Sequence, residues 1–125
     1  MKEKKSQVEK IIEWALEKKA EEVKFYDIHE ESDFTDFVVV CEGSGRLHVQ
    51  AIANNILDRC KEDGIHVYSK EGIENGTWAL IDLVDIVIHI FDEKTRSYYK
   101  IDELLESTSN RSFENIKDKH DSLNK

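Results

Sequence analysis

The sequence predicts an α/β (α+β) domain in which helices flank a mixed five-stranded sheet. Three observations carry that expectation. Two segments place apolar residues at helical spacing. Phe37, Val38, Val39, Val40 and Cys41 form a continuous run rich in β-branched residues, as in a strand buried on both faces. Two further β-like runs, 77–83 and 86–91, are joined too closely for a crossover and so must pair antiparallel.

Taken in order, Val8, Ile11, Ile12, Ala15 and Leu16 lie on one stripe between Glu and Lys residues, which predicts a helix over 4–19. Residues 23–28 form a short strand, and His29, Glu30, Glu31, Ser32 and Asp33 read as a turn. The 37–41 strand is broken by Glu42, Gly43, Ser44 and Gly45. A second helix then runs to about Glu62, with Val49, Ile52, Ala53, Ile56 and Cys60 on one face. Asp63 and Gly64 end it, because glycine suits the left-handed conformation past a helix C-terminus. Strands follow at 65–69, 77–83 and 86–91, the last two forming a hairpin about Val84 and Asp85. A helical turn or two over 93–105 completes the order α-β-β-α-β-β-β-α. A domain over 1–106 is followed by a polar tail, 107–125, with too few apolar groups to offset the entropy of ordering.

The chain has 125 residues, a single-domain length, and 39% of them are hydrophobic, enough for one core. Asp and Glu number 27 against 18 Lys and Arg, a formal charge of −9. From Glu106 onward four acidic residues balance four basic ones, so the excess lies in 1–105. An acidic surface repels phosphate backbones, which argues against direct binding to DNA or bare RNA and favours a basic protein partner. No apolar run approaches the ~20 residues of a membrane span. The charged start, Met1 to Lys5, leads into an amphipathic pattern rather than a signal core, and Cys41 and Cys60 stand without zinc spacing. These features predict a reduced, cytoplasmic setting.

Gly43, Ser44 and Gly45 lie between a strand and a helix, where amides can hold an anion, or where Ser44 simply caps the helix. A nucleotidyltransferase also places Gly-Ser here, but needs a carboxylate pair on the next strand to hold magnesium. The 65–69 strand has none, and no cofactor is expected. Ser44 and His48 are close, yet no nucleophile elbow surrounds the serine. Asp82, Asp85 and His89 lack a third convergent ligand for zinc.

The hairpin says more. Its register pairs Leu83 with Ile86, Asp82 with Val87, Ile81 with Ile88, Leu80 with His89 and Trp78 with Phe91. One face, with Ala79, Ile81, Leu83, Ile86, Ile88 and Ile90, is a core face. The other carries Trp78, Leu80, Asp82, His89 and Phe91, and strand periodicity suits both a helix-covered face and an open binding surface with an acidic rim.

Ser32, Asp36, Phe37, Val38 and Val39, then Gly43, Arg46, His48, Val49, Gln50, Ala51, Ile52 and Ala53, resemble the first signature of the Iojap-like ribosomal silencing factors. A second block matches more closely: Glu71, Gly72, Trp78, Leu80, Ile81, Asp82, the run 85–91, Arg96, Tyr99 and Leu104. Residues 5–105 match in register. Val84 departs from the pattern, where glycine is frequent, and Leu105 stands where many relatives have tryptophan. The resemblance implies a nucleotidyltransferase-like fold without the catalytic carboxylates and no enzymatic activity. It further implies a translational repressor that binds the large ribosomal subunit through its ribosomal protein number fourteen and blocks joining of the small subunit. Free family members are commonly homodimers. The expected contact residues are Glu71, Gly72, Trp78, Leu80, Asp82, His89, Phe91 and Tyr99. A vestigial nucleotidyltransferase, or a dimeric scaffold for another basic partner, is the alternative.

Overall fold

The structure, a computed structural model, describes residues 2–30, 35–108 and 114–115. Helix α1 (Lys2–Glu17) leads into β1 (Glu21–Asp27), and β2 (Phe37–Gly43) is followed by α2 (Arg46–Glu62). Then come β3 (Ser69–Glu71), β4 (Trp78–Asp82), β5 (Ile86–Asp92), α3 (Glu93–Tyr99), α4 (Ile101–Thr108) and β6 (Glu114–Asn115). The sheet order is β3-β4-β5-β2-β1-β6. β2 and β5 are parallel and every other pair is antiparallel, so the sheet is mixed, as the chain order predicted. Five strands form as expected, four of them in place and one displaced, with the two-residue β6 added beside β1. Apart from the end of α4 and β6, the expected polar tail lies outside the described residues, as does most of the expected 29–33 turn.

The apolar stripes explain the layers. Val8, Ile11, Ile12 and Ala15 of α1 and Val49, Ile52, Ala53, Ile56 and Cys60 of α2 form the main core. They pack with Val39, Cys41, Ala79, Ile81, Ile88 and Ile90 on one face of the sheet. Strand alternation sends Tyr26, Val38, Val40 and Phe91 to the other face, where Leu105 of α4 covers them. Both long helices therefore lie on one side. Among the described residues, the opposite side is covered by the short α3 and α4, over β1, β2, the end of β5 and Trp78 at the start of β4.

Helix α2 ends as its Asp63-Gly64 pair predicts. Gly64 has φ +73, its N–H donates to Lys61 O, and Ile65 N–H donates to Cys60 O, so two terminal carbonyls are satisfied. The strand expected over 65–69 forms instead at Ser69–Glu71. Chain leaving that cap reaches the edge of β4 only at Tyr68, whose N–H donates to Asp82 O. The correction moves Glu71 from a loop onto a strand. The hairpin register is the predicted one, from Trp78 opposite Phe91 to Asp82 opposite Val87, closed by Leu83 N–H to Ile86 O. Val84 has φ +75, a conformation that disfavours a β-branched residue. Three bonds hold it: Val84 N–H to the Asp82 carboxylate at 2.7 Å, Asp85 N–H to Leu83 O at 3.0 Å, and the Thr35 hydroxyl to Val84 O at 3.3 Å.

Candidate functional site

Cross-strand pairing sorts the expected contact residues into rows on the face away from α1 and α2. Glu71 pairs with Leu80, and Leu80 with His89. Ser69, Asp82 and Val87 form the row on one side of it, and Trp78 and Phe91 the row on the other. Because paired residues share a face, Glu71, Trp78, Leu80, Asp82 and His89 do come together. Glu71 and Gly72 are exposed, while Trp78, Leu80, Asp82 and His89 are partly buried. The two readings of this face thus apply to different halves: helices cover the β1–β2 half, and among the described residues no helix covers the β3–β4 half beyond Tyr99 against Trp78.

Phe91 must be removed from the surface. It is fully buried and packs beside Trp78 across the strand pair, with ring centroids 4.9 Å apart. Tyr99, the last residue of α3, meets Trp78 at 4.9 Å, and Tyr98 packs edge-on against Tyr99 at 4.9 Å. Both tyrosines are exposed, at 55% for Tyr99 and 76% for Tyr98. Thr77, Trp78, Lys94, Thr95, Tyr98 and Tyr99 line a groove of about 500 Å³. Aromatic side chains held in place by neighbours lose little freedom on docking, so this groove is well suited to anchor a partner.

His89 belongs to the same unit. The Trp78 indole N–H donates to His89 Nδ1 at 3.0 Å, and burial lowers the His89 pKa from its usual value to about 4. The imidazole is therefore neutral, with its proton on Nε2, and acts as an acceptor that fixes the indole. Asp82 also has a local task, since one carboxylate oxygen accepts from Val84. Gly72 has φ +76, and a Cβ there would meet Trp78 O at 2.1 Å, so only glycine lets this turn pass against β4.

Arg96 entered the sequence reading only through the family resemblance, with no role of its own. Arg96 is 7% exposed and donates to both Asp102 oxygens, at 2.8 and 3.0 Å, to Glu42 at 3.1 Å and to Glu22 O at 2.8 Å. The Tyr26 hydroxyl donates to Asp102 at 2.7 Å. Burial alone would raise the Asp102 carboxyl, but bonds from Arg96 and Tyr26 hold it below its usual range. Burial lifts the Glu42 carboxyl above its usual range against the pull of Arg96. The spacing Arg96-x-x-Tyr99 was visible in the sequence, but periodicity gave no reason to bury an arginine.

Around Ser44, the helix cap is Gly45 and makes no side-chain bond, which corrects the Ser44 cap. His48 Nδ1 accepts from Ser44 N–H at 2.8 Å while Nε2 donates to Lys18 O at 2.7 Å, at the end of α1. The Ser44 hydroxyl also lies 3.2 Å from Nδ1, but that nitrogen already accepts from the Ser44 N–H, so the imidazole chiefly links the two helix termini. The corrected β3 carries Glu71, but it lies three strand positions from β2, roughly 14 Å at ~4.8 Å per strand. That carboxylate cannot serve the Ser44 turn. Among the described residues, no three His, Cys, Asp or Glu side chains converge to hold a metal, and no helix is long and apolar enough to cross a membrane.

A family model described as "Ribosomal silencing factor during starvation" matches residues 1–125. A Bacillus subtilis protein named ribosomal silencing factor is 39% identical over 88 residues, covering 70% of this chain and 75% of that one. The mitochondrial Iojap-related protein of Arabidopsis thaliana is 32% identical over 108 residues, covering 82% of this chain and 56% of the relative. Among solved structures, a Bacillus halodurans protein superposes with TM-score 0.74 at 34% identity, covering 80% of this chain and 93% of that one. A Chromobacterium violaceum protein gives TM-score 0.77 at 29% identity, covering 80% and 84%.

Proposed function

The chain belongs to the ribosomal silencing factor family, and from that premise we propose that it is a ribosome-associated repressor of translation. It binds the large ribosomal subunit through that subunit's ribosomal protein number fourteen and sterically blocks joining of the small subunit. The free protein is a homodimer, acts in the cytoplasm and catalyses no reaction. The observation that carries this reading is the open half of the sheet. There the aromatic groove of Trp78 and Tyr99 stands beside exposed Glu71 on a chain of net charge −9. An aromatic anchor on a strongly acidic chain, with Lys94 in the groove wall and Glu71 on the neighbouring row, complements a basic protein embedded in an RNA particle that the chain itself would avoid.

The test is sedimentation with isolated subunits, followed by reassociation measured by light scattering. The protein is expected to pellet with large and not small subunits, and to lower the yield of full ribosomes at saturation. Tyr99→Ala should weaken binding by about 2 kcal/mol, the hot-spot threshold, with little change in stability because the ring is exposed. Glu71→Lys should slow association and reduce its sensitivity to salt. Full reassociation in the presence of saturating protein would refute the function. Intact binding by Tyr99→Ala would move the contact surface elsewhere.

A further inference from the structure

We infer that Arg96 is a positioning residue: its fork to Asp102 across the α3–α4 break sets the place of Tyr99 on Trp78. This rests on the proposed docking role of the aromatic groove. Helix α3 has seven residues, too short to hold itself, and Tyr99 is its last. One end is fixed by Asp92, whose carboxylate accepts from Thr95 N–H at 2.8 Å. At the other end Lys100 turns left-handed with φ 50, and α4 begins at Ile101. Lys100 N–H donates to Arg96 O at 3.1 Å and closes the last turn of α3, so the backbone ends the helix at Tyr99 and side chains set how α3 and α4 lie on the sheet.

Arg96 fixes their placement from both sides. Nε and one terminal nitrogen grip the two Asp102 oxygens on α4, while the remaining nitrogen reaches Glu42 on β2 and the Glu22 carbonyl on β1. Tyr26 OH then ties Asp102 to β1. The guanidinium therefore connects α3, α4 and two strands through one planar group, and the Tyr99 ring stands one turn along the helix from it. A lysine cannot repeat this geometry, because a single ammonium lacks the fork. Arg96 does not line the Trp78 groove itself, so its influence on docking must pass through Tyr99.

The experiment uses the full chain with Trp14→Phe, which leaves Trp78 as the sole tryptophan. Arg96→Lys keeps the buried positive charge. It should remain cooperatively folded while Trp78 emission shifts to longer wavelength and becomes more open to an aqueous quencher. Large-subunit binding should weaken at least tenfold. In the double variant with Tyr99→Ala, the Arg96 change should cost nothing further, since two residues acting through one contact are not additive. Unchanged Trp78 emission in folded Arg96→Lys, or losses that add in the double variant, would overturn the assignment. If Arg96→Lys does not fold, Asp102→Asn takes its place in the same comparison, as it keeps the partner's shape and removes its charge. If the unsubstituted chain does not pellet with large subunits, the function fails while the emission result still decides the positioning role.

Discussion

His89 should make the fold sensitive to mild acid. Burial lowers its pKa to about 4, and the Trp78 indole N–H points at the nitrogen that would take the proton. In the unfolded chain the imidazole titrates near its ordinary ~6.5. Between these values the unfolded state binds the extra proton and the native state does not, so stability falls as pH falls. From about pH 7.5 to about pH 5 the linkage amounts to at most about 2 kcal/mol, since water at the partly exposed ring edge screens some of it. The measurement is urea unfolding at both pH values for the native sequence and for His89→Gln, whose amide oxygen still accepts from Trp78 but does not titrate. His29 shifts the other way, because the Asp27 carboxylate beside it raises its pKa, but it is present in both proteins and cancels. The glutamine variant should lose less stability than the native sequence by about the linkage figure. Equal losses in the two proteins would show that His89 is not held neutral.

Three further substitutions probe the backbone around the site. Val84→Gly should stabilise by about 1 kcal/mol, because Val84 sits at φ +75 and is 47% exposed, so relief of strain outweighs lost packing; thermal unfolding checks it. Gly72→Ala should cost well over the ~1 kcal/mol of an ordinary helical Gly–Ala difference, since its Cβ would collide with the Trp78 carbonyl. Chemical denaturation of that variant reads the loss, and Trp78 fluorescence should change with it. Removing residues 109–125, β6 included, should move the melting midpoint by no more than about 4 °C, because β6 adds just two paired residues beside β1; this tests a domain boundary near Glu106.

The apolar periodicities determined most of the framework. The stripes of α1 and α2 name the residues that are buried, except Leu16, which is partly buried, and the alternation around Val84 and Asp85 sets the hairpin register residue by residue. These patterns are local, so a single chain displays them. The Ser69–Glu71 strand was misplaced because edge pairing depends on where the chain meets β4, not on the 65–69 residues themselves. Alternation also identified Trp78, Leu80, Asp82 and His89 as sharing a face, but it assigns a direction to a side chain and not what covers it. Only the packing of α3 and α4 decided that Phe91 is hidden while Tyr99 stands exposed. Arg96 was equally beyond pattern reading. A buried guanidinium is stable only where carboxylates from separate elements converge on it, and Glu42 and Asp102 do so from 54 and 6 residues away. Sequence spacing fixed which residues point the same way, and tertiary structure decided which of them meet.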